Sequence, residues 1–307
     1  MSLELFENSA RKRFINDYKL PIQLFQGSYF DYFTNLYDGL FDISTYLRLY
    51  NNAIEETGSY QGFLEAYKDA RNIIIQDLND AADAYGFNNM SMLRWDVKNR
   101  NISKSSVFTL GNDGQIFTSI DISQANYQVM RNLDKSLVLH SNIYENMYDS
   151  LGLSPALKDY ILNSKYFRQV IFGNINPKRQ VAMQRFYTDK ILDYIFDLGL
   201  EQSAIETFSD DEIVVSGELK SDLRERVQVE CRDKLDLDVH IEVYSLDVFK
   251  TKFADAYIQR FLESDKIRIR KVPIVYFAAV YKTFMGESVG DYDLRFLYEN
   301  RVAQFLE

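Results

Sequence analysis

"TSIDISQANYQ", residues 118–128, decides how this chain is read. Its first half is a strand-forming apolar run that stops against Asp121, and its second half takes on helical spacing. A second stretch, "ETFSDDEIVVS" at 206–216, sets Asp210-Asp211-Glu212 between two short β-like runs. Carboxylates thus stand at the ends of two strand-forming segments. With 2 His and 1 Cys in the chain, any metal there is expected to be oxygen-bound rather than zinc-like.

Working outward, "SSVFTL-GNDG-QIFTSIDI" reads as a hairpin around a Gly-Asn-Asp-Gly turn. Three helical stretches follow, one opened by Ser154-Pro155 and one beginning at Pro177 and closing near Gly199. "AIETF-SDD-EIVVSG" reads as two short strands around an acidic turn. A charged helix and the alternating strand "LDVHIEVYSL" come next. The order from 102 to 250 is β-β-α-α-α-β-β-α-β, which predicts an α+β fold with an antiparallel sheet and helices on one face. Residues 1–100 read as helical, with Ser59 as an N-cap, and residues 251–307 as a helical tail. Three regions are therefore expected: 1–100 helical, 101–250 holding the sheet, and 251–307 helical.

Composition bounds the function. The 307 residues are 46% apolar, enough for a sizeable core, and 4 Pro with 13 Gly argue for regular, helix-rich structure. No apolar window is long enough for a membrane span, and "MSLELFENSARKRF" lacks the apolar core of a signal peptide. The lone Cys231 excludes an internal disulfide and fits a reducing, cytoplasmic setting. A net charge of −10 disfavours a generally nucleic-acid-coated surface. It leaves room for a local basic groove, for which "ARKRF", "NPKRQ" and "KIRIRK" are candidates.

Carboxylates brought together from separate strands suit Mg²⁺, and two such ions can stabilise both the attacking and the leaving oxygen in phosphoryl transfer. On these residues the chain resembles a palm-type nucleic-acid polymerase. "DISQANYQ" is similar to the first palm motif of family A DNA polymerases, Asp-Tyr-Ser-Gln-Ile-Glu-Leu-Arg, matching at Asp121, Ser123 and Gln124. "SDDEIVVS" resembles their His-Asp-Glu-Leu-Val, with Asp211 and Glu212 on the Asp-Glu pair. "SKYFRQVIFGNI" looks like their fingers helix with its Lys-x-x-x-Phe-Gly.

The resemblance implies template-directed nucleotidyl transfer without proofreading, on a nucleic-acid template and primer with nucleoside triphosphates. Asp121, Asp211 and the Ile122 carbonyl would hold two Mg²⁺ (or Mn²⁺), with Asp210 or Glu212 assisting. Arg168 and Lys165 would meet the triphosphate, and Phe172 would pack near the base. Asn126 stands where the family has its sugar-sensing Glu, two residues after the matched Gln124. Lys178, Arg179, Arg268 and Arg270 would contact nucleic acid. Asn176, Asp210 and the short spacing between the acidic motifs depart from family A and imply reduced fingers, which a second polypeptide would complete. A small polymerase of this kind suits a phage or mobile element in a bacterial cell. "FSDD" also resembles the Tyr-x-Asp-Asp turn of reverse transcriptases and the related RNA-dependent RNA polymerases, which would make Asp210 and Asp211 the metal pair.

Each feature has a plainer explanation. The acidic triplet serves as a solvated turn, Asp121 as a strand end or N-cap, and Arg168 and Lys165 as charges on an amphipathic helix. "KIRIRK" reads as a charged edge strand, and Cys231 as buried and inert. His140 and His240 show no partners in the sequence. The competing class is a non-catalytic helical interaction protein or an inactive palm.

Overall fold

A computed structural model describes residues 7–102 and 106–305. Residues 1–6, which begin the stretch expected to lack a signal-peptide core, and Ser105, which opens the expected hairpin, lie outside the described residues. Four helices come first: α1 (Asn8–Tyr18), α2 (Gly27–Phe41), α3 (Ile43–Glu56) and α4 (Tyr60–Tyr85). Between α2 and α3 the helical stretch breaks at Asp42, whose φ of 52° ends α2 in the left-handed region. Ser59 caps α4 as expected, accepting the Gly62 N–H at 3.0 Å.

Next come β1 (Gln115–Ile122), α5 (Ala125–Leu133), α6 (Pro155–Asn163), α7 (Lys165–Gly173) and α8 (Pro177–Asp197). Then follow β2 (Ile205–Phe208), β3 (Glu212–Ser216), α9 (Ser221–Leu235) and β4 (Val239–Lys250). The chain closes with β5 (Asp255–Phe261), β6 (Ile267–Arg270), α10 (Phe277–Phe284), β7 (Arg295–Tyr298) and β8 (Arg301–Gln304). The fold is α+β. Two expectations are corrected. In the run expected as the first hairpin strand, residues 106–109 form no strand, and Leu110–Asn112 make a 3₁₀ turn. The tail is not purely helical, since it carries β5–β8.

One antiparallel sheet runs β2-β3-β1-β4-β5-β6. Within it β1, α8, β2, β3, α9 and β4 make a split βαβ arrangement. Side chains alternate along a strand, and directly paired residues share a face. Ile120 and Ile122 therefore fall with Ile213, Val215, Val239 and Ile241 on one face. Ile191, Leu192 and Ile195 of α8 and Val227 and Cys231 of α9 cover them. Cys231 is fully buried, and burial lifts its thiol to about 12, so it is inert. Farther along that face, α10 sets Val280 on Ala256 and Ile258.

The opposite face carries Phe117, Ser119, Asp121, Glu212, His240, Glu242 and Tyr244. Val107 shields its apolar end by packing with Phe117, Val214 and Tyr244. The helical region approaches from this side, with Lys165 of α7 within electrostatic reach of Arg268 and Arg270. Helices therefore flank both sides of the sheet, which corrects the expectation of one. One apolar core joins α1–α4 to α5–α7: Phe14, Tyr50, Phe63 and Tyr67 share it with Tyr127, Tyr160 and Phe167. Among the described residues no helix is long and apolar enough to cross a membrane.

Candidate functional site

Strand pairing brings the two acidic stretches together. Asp121 lies directly opposite Glu212, and the Ile122 N–H donates to the Asp211 carbonyl at 3.1 Å. Directly opposed side chains in an antiparallel pair sit about 4.5–5.5 Å apart at Cβ, and like charges there destabilise the sheet. The conflict shows in the titration of Asp121. Partial burial first, then the charges of Asp211 and Glu212, lift its carboxyl from 3.8 to about 7. Asp211 is raised as well, by burial and then by Glu212 and Asp210.

Several residues the sequence did not single out hold these acids in place. Ser119 Oγ donates to Glu212 Oε1 at 2.6 Å. Buried Gln128 ties the end of β1 to the start of β4: its Nε2 donates to the Asp238 carbonyl at 3.0 Å and to the Ser123 carbonyl. Its Oε1 accepts the Asp238 N–H at 2.6 Å. Thr188 Oγ1 donates to the Asp210 carbonyl at 2.9 Å. The Arg185 Nε donates to the Asp210 carboxylate at 3.0 Å, and its Nη2 binds the same oxygen. Asp210 is thereby engaged with α8, whereas Glu212 faces Asp121 and the Asp211 charge acts on it.

His240 lies directly opposite Asp121 on the far side of β1. Its Nε2 meets Glu242 Oε1 at 3.2 Å, so the expectation that it has no partner is corrected. The signal was present in the sequence: residues two apart on a strand share a face. Glu242 in turn takes both ends of the Arg268 guanidinium, at 2.7 and 3.0 Å.

The remaining expected residues distribute as follows. Gln124 caps α5 in the left-handed region with a φ of 49° and is exposed. Asn126 Oδ1 accepts from Gln184 Nε2 at 2.5 Å, which fixes it against α8. Arg168 lies 6.0 Å over the Tyr144 ring. Arg270 Nε donates to Gln259 Oε1 at 2.8 Å. Lys178 is exposed, while Arg179 donates to the Met90 carbonyl at 2.8 Å and braces a loop. Phe172 contradicts its expected role. It is 1% exposed within the helical core, because α7 turns Phe167, Ile171 and Phe172 inward, so its ring is not available to a base. Ile122 likewise buries its side chain, leaving only its main chain near the acids.

The donor set suits a hard divalent cation: carboxylate oxygens from adjacent strands whose mutual repulsion such an ion would relieve. Among the described residues, no three Asp, Glu, His or Cys side chains are drawn into an ion-sized cluster. Cavities of about 320 and 280 Å³ are lined by other residues. No protein-family model matches the chain, and neither curated proteins nor solved structures give a significant match.

Proposed function

We propose that this protein transfers nucleotides to the 3′ end of a nucleic-acid primer, as a palm-type polymerase does. One observation supports the reading above the others: Asp121 and Glu212 share one face of adjacent strands in spite of their repulsion, with the charge of Asp211 within electrostatic reach. Uncompensated like charges facing each other in a sheet are costly, and perturbed carboxyls cluster at functional sites. Asp121, Asp211 and Glu212 would hold Mg²⁺ (or Mn²⁺), which would supply the positive charge that phosphoryl transfer requires.

The protein's own groups position the reactants. Ser119 fixes Glu212, and Thr188 with Arg185 fixes the β2–β3 turn. Lys165 and Arg168 would neutralise the triphosphate, and Asn126, held by Gln184, would face the nucleotide sugar. The primer 3′-hydroxyl would attack the α-phosphate, and pyrophosphate would leave. The Arg185–Asp210 ion pair favours Asp211 and Glu212 over Asp210 and Asp211 as the metal-facing pair, and so favours the family A-like register.

The test is primer extension on DNA and RNA templates, with deoxy- and ribonucleotides and Mg²⁺ or Mn²⁺. Wild type should extend a primer, and Asp121→Ala and Asp211→Ala should abolish extension. Extension that survives both substitutions would refute the site. Its absence from pure wild-type protein under every condition would favour the non-catalytic alternative.

A further inference from the structure

The cavity of about 280 Å³ lies apart from the sheet that carries the acids. Three pieces of chain line it: α1 through Lys12, the segment before α2 through Gln23, Phe25 and Gln26, and the β7–β8 hairpin through Asn300. α1 ends at Lys19, whose φ of 55° turns the chain into that segment. Asn300 closes the hairpin as the second of two residues between Tyr298 and Arg301, with a φ of 62° that Asn tolerates.

The lining is chemically specific. Ile15 and Ile22, each 5% exposed, give it an apolar base. The Lys12 ammonium lies 5.9 Å from the centre of the Phe25 ring. It is the one charge in the lining, which holds no carboxylate among the described residues. Gln23 Oε1 and Gln26 Oε1 are buried, and among the described residues nothing donates to them. Gln26 stands at the N-cap of α2, where a side-chain oxygen commonly accepts a first-turn N–H, yet its own makes no such bond. A buried acceptor left unpaired destabilises a fold, and native structures hold few of them. Two in the lining of one cavity mark it as a place for a donor.

The occupant follows from these groups. It presents N–H donors to the two glutamines. A cationic donor would meet Lys12 with no carboxylate to offset it, so neutral amino groups fit. Lys12 calls for an acid, and the Phe25 ring with the two isoleucines for a flat body. The volume, near the lower end for ligand pockets, suits a small molecule rather than a large cofactor.

We propose that this cavity binds a small planar aromatic or heterocyclic amine carrying one acid group, with the amino group on Gln23 and Gln26 and the acid on Lys12. Nucleoside monophosphates with an amino-bearing base have this chemistry, and so do aminobenzoates. The site does not rest on the polymerase reading, since no lining residue belongs to the acidic sheet.

Two pairs of probes separate the sources. Adenosine monophosphate and inosine monophosphate, in which an oxo group replaces the amino group, form one pair, and para-aminobenzoate and benzoate the other. Each is titrated calorimetrically into the full-length protein with a chelator at about 0.15 M salt. In one pair the amino-bearing member should bind about tenfold tighter, the size of one hydrogen bond to an otherwise unpaired acceptor. That pair identifies the source. Gln23→Leu and Gln26→Leu should each reduce this preference. Both delete a buried unpaired acceptor, so the urea midpoint of the free protein should hold or rise, which excludes misfolding as the cause. Lys12→Gln should weaken the acid-bearing ligand about tenfold and leave its acid-free counterpart, adenosine or aniline, unchanged. Asp121→Ala should alter none of these affinities. The proposal is overturned if neither pair binds at millimolar concentration, or if the amino group makes no difference in either pair, comparisons that need only the wild-type protein. It is overturned too if the glutamine and Lys12 variants bind as wild type does, or if Asp121→Ala abolishes binding.

Discussion

Replacing Asp121 by Asn should stabilise the protein by an amount that grows as pH rises above about 4 and is complete above about 7. The native carboxyl titrates at about 7 against 3.8 when unperturbed, because burial and the neighbouring Asp211 and Glu212 disfavour its charge. Between those values the native state keeps a proton that the unfolded chain has released. Raising the pH therefore draws the equilibrium toward unfolding, and the stability lost is complete above the native value. Converted in full the rise corresponds to about 4 kcal/mol. The side chain is reached by solvent, however, so screening reduces this to about 1–2 kcal/mol. In urea titrations Asp121→Asn should exceed wild type by that amount at about pH 8, and the two should converge near pH 4. Added Mg²⁺ should raise the wild-type midpoint at the higher pH and leave the variant nearly unmoved. If Asp121→Asn is instead less stable than wild type at the higher pH, or the offset is the same at both, the charge conflict is not there and the site loses its main support.

Other substitutions probe the frame around this face. Phe172→Ala should cost about 3–5 kcal/mol in urea unfolding, as expected for a core ring. A stable variant with weakened nucleotide binding would place that ring outside the core. Asp17→Ala should cost a similar 3–5 kcal/mol, because it strands Arg13, whose Nε donates to Asp17 at 2.8 Å in the buried core of α1. The double variant Arg13→Met with Asp17→Leu should recover most of that loss, and a double-mutant cycle measures the difference. Thr188→Val keeps the shape but removes the hydrogen bond to the Asp210 carbonyl, so it should cost about 0.5–1.5 kcal/mol. It should also lower primer-extension rate more than primer affinity, and an unchanged rate would show that the turn needs no such brace.

Local signals carried the reading of the fold where one residue's neighbours settle its conformation. Ser59 and Pro155 marked helix starts, a β-like run after the acidic turn marked β3, alternation marked β4, and the charged alternation of "KIRIRK" marked β6 as an edge. Where burial rather than pattern decides, the reading failed. "VFTL" has strand-like composition, yet it spends Val107 as a plug over Phe117 and Tyr244, and its carbonyl accepts from Asn112 Nδ2 at 2.8 Å rather than joining a ladder. The tail's strand β5 was hidden because a stretch of seven residues fits either period.

Asp121, Asp211 and Glu212 were legible as acids at the ends of strand-forming segments. Their meeting was not, and neither were the roles of Ser119, Gln128, Thr188 and Arg185. The chain's own order fixed which residues share a strand face, since alternation is a property of the backbone. Which strand lies beside which, and in what register, depends on the long-range packing of α8 and α9 beneath the sheet. A slip of one residue would turn every side chain over, so only the folded molecule could set Asp121 against Glu212.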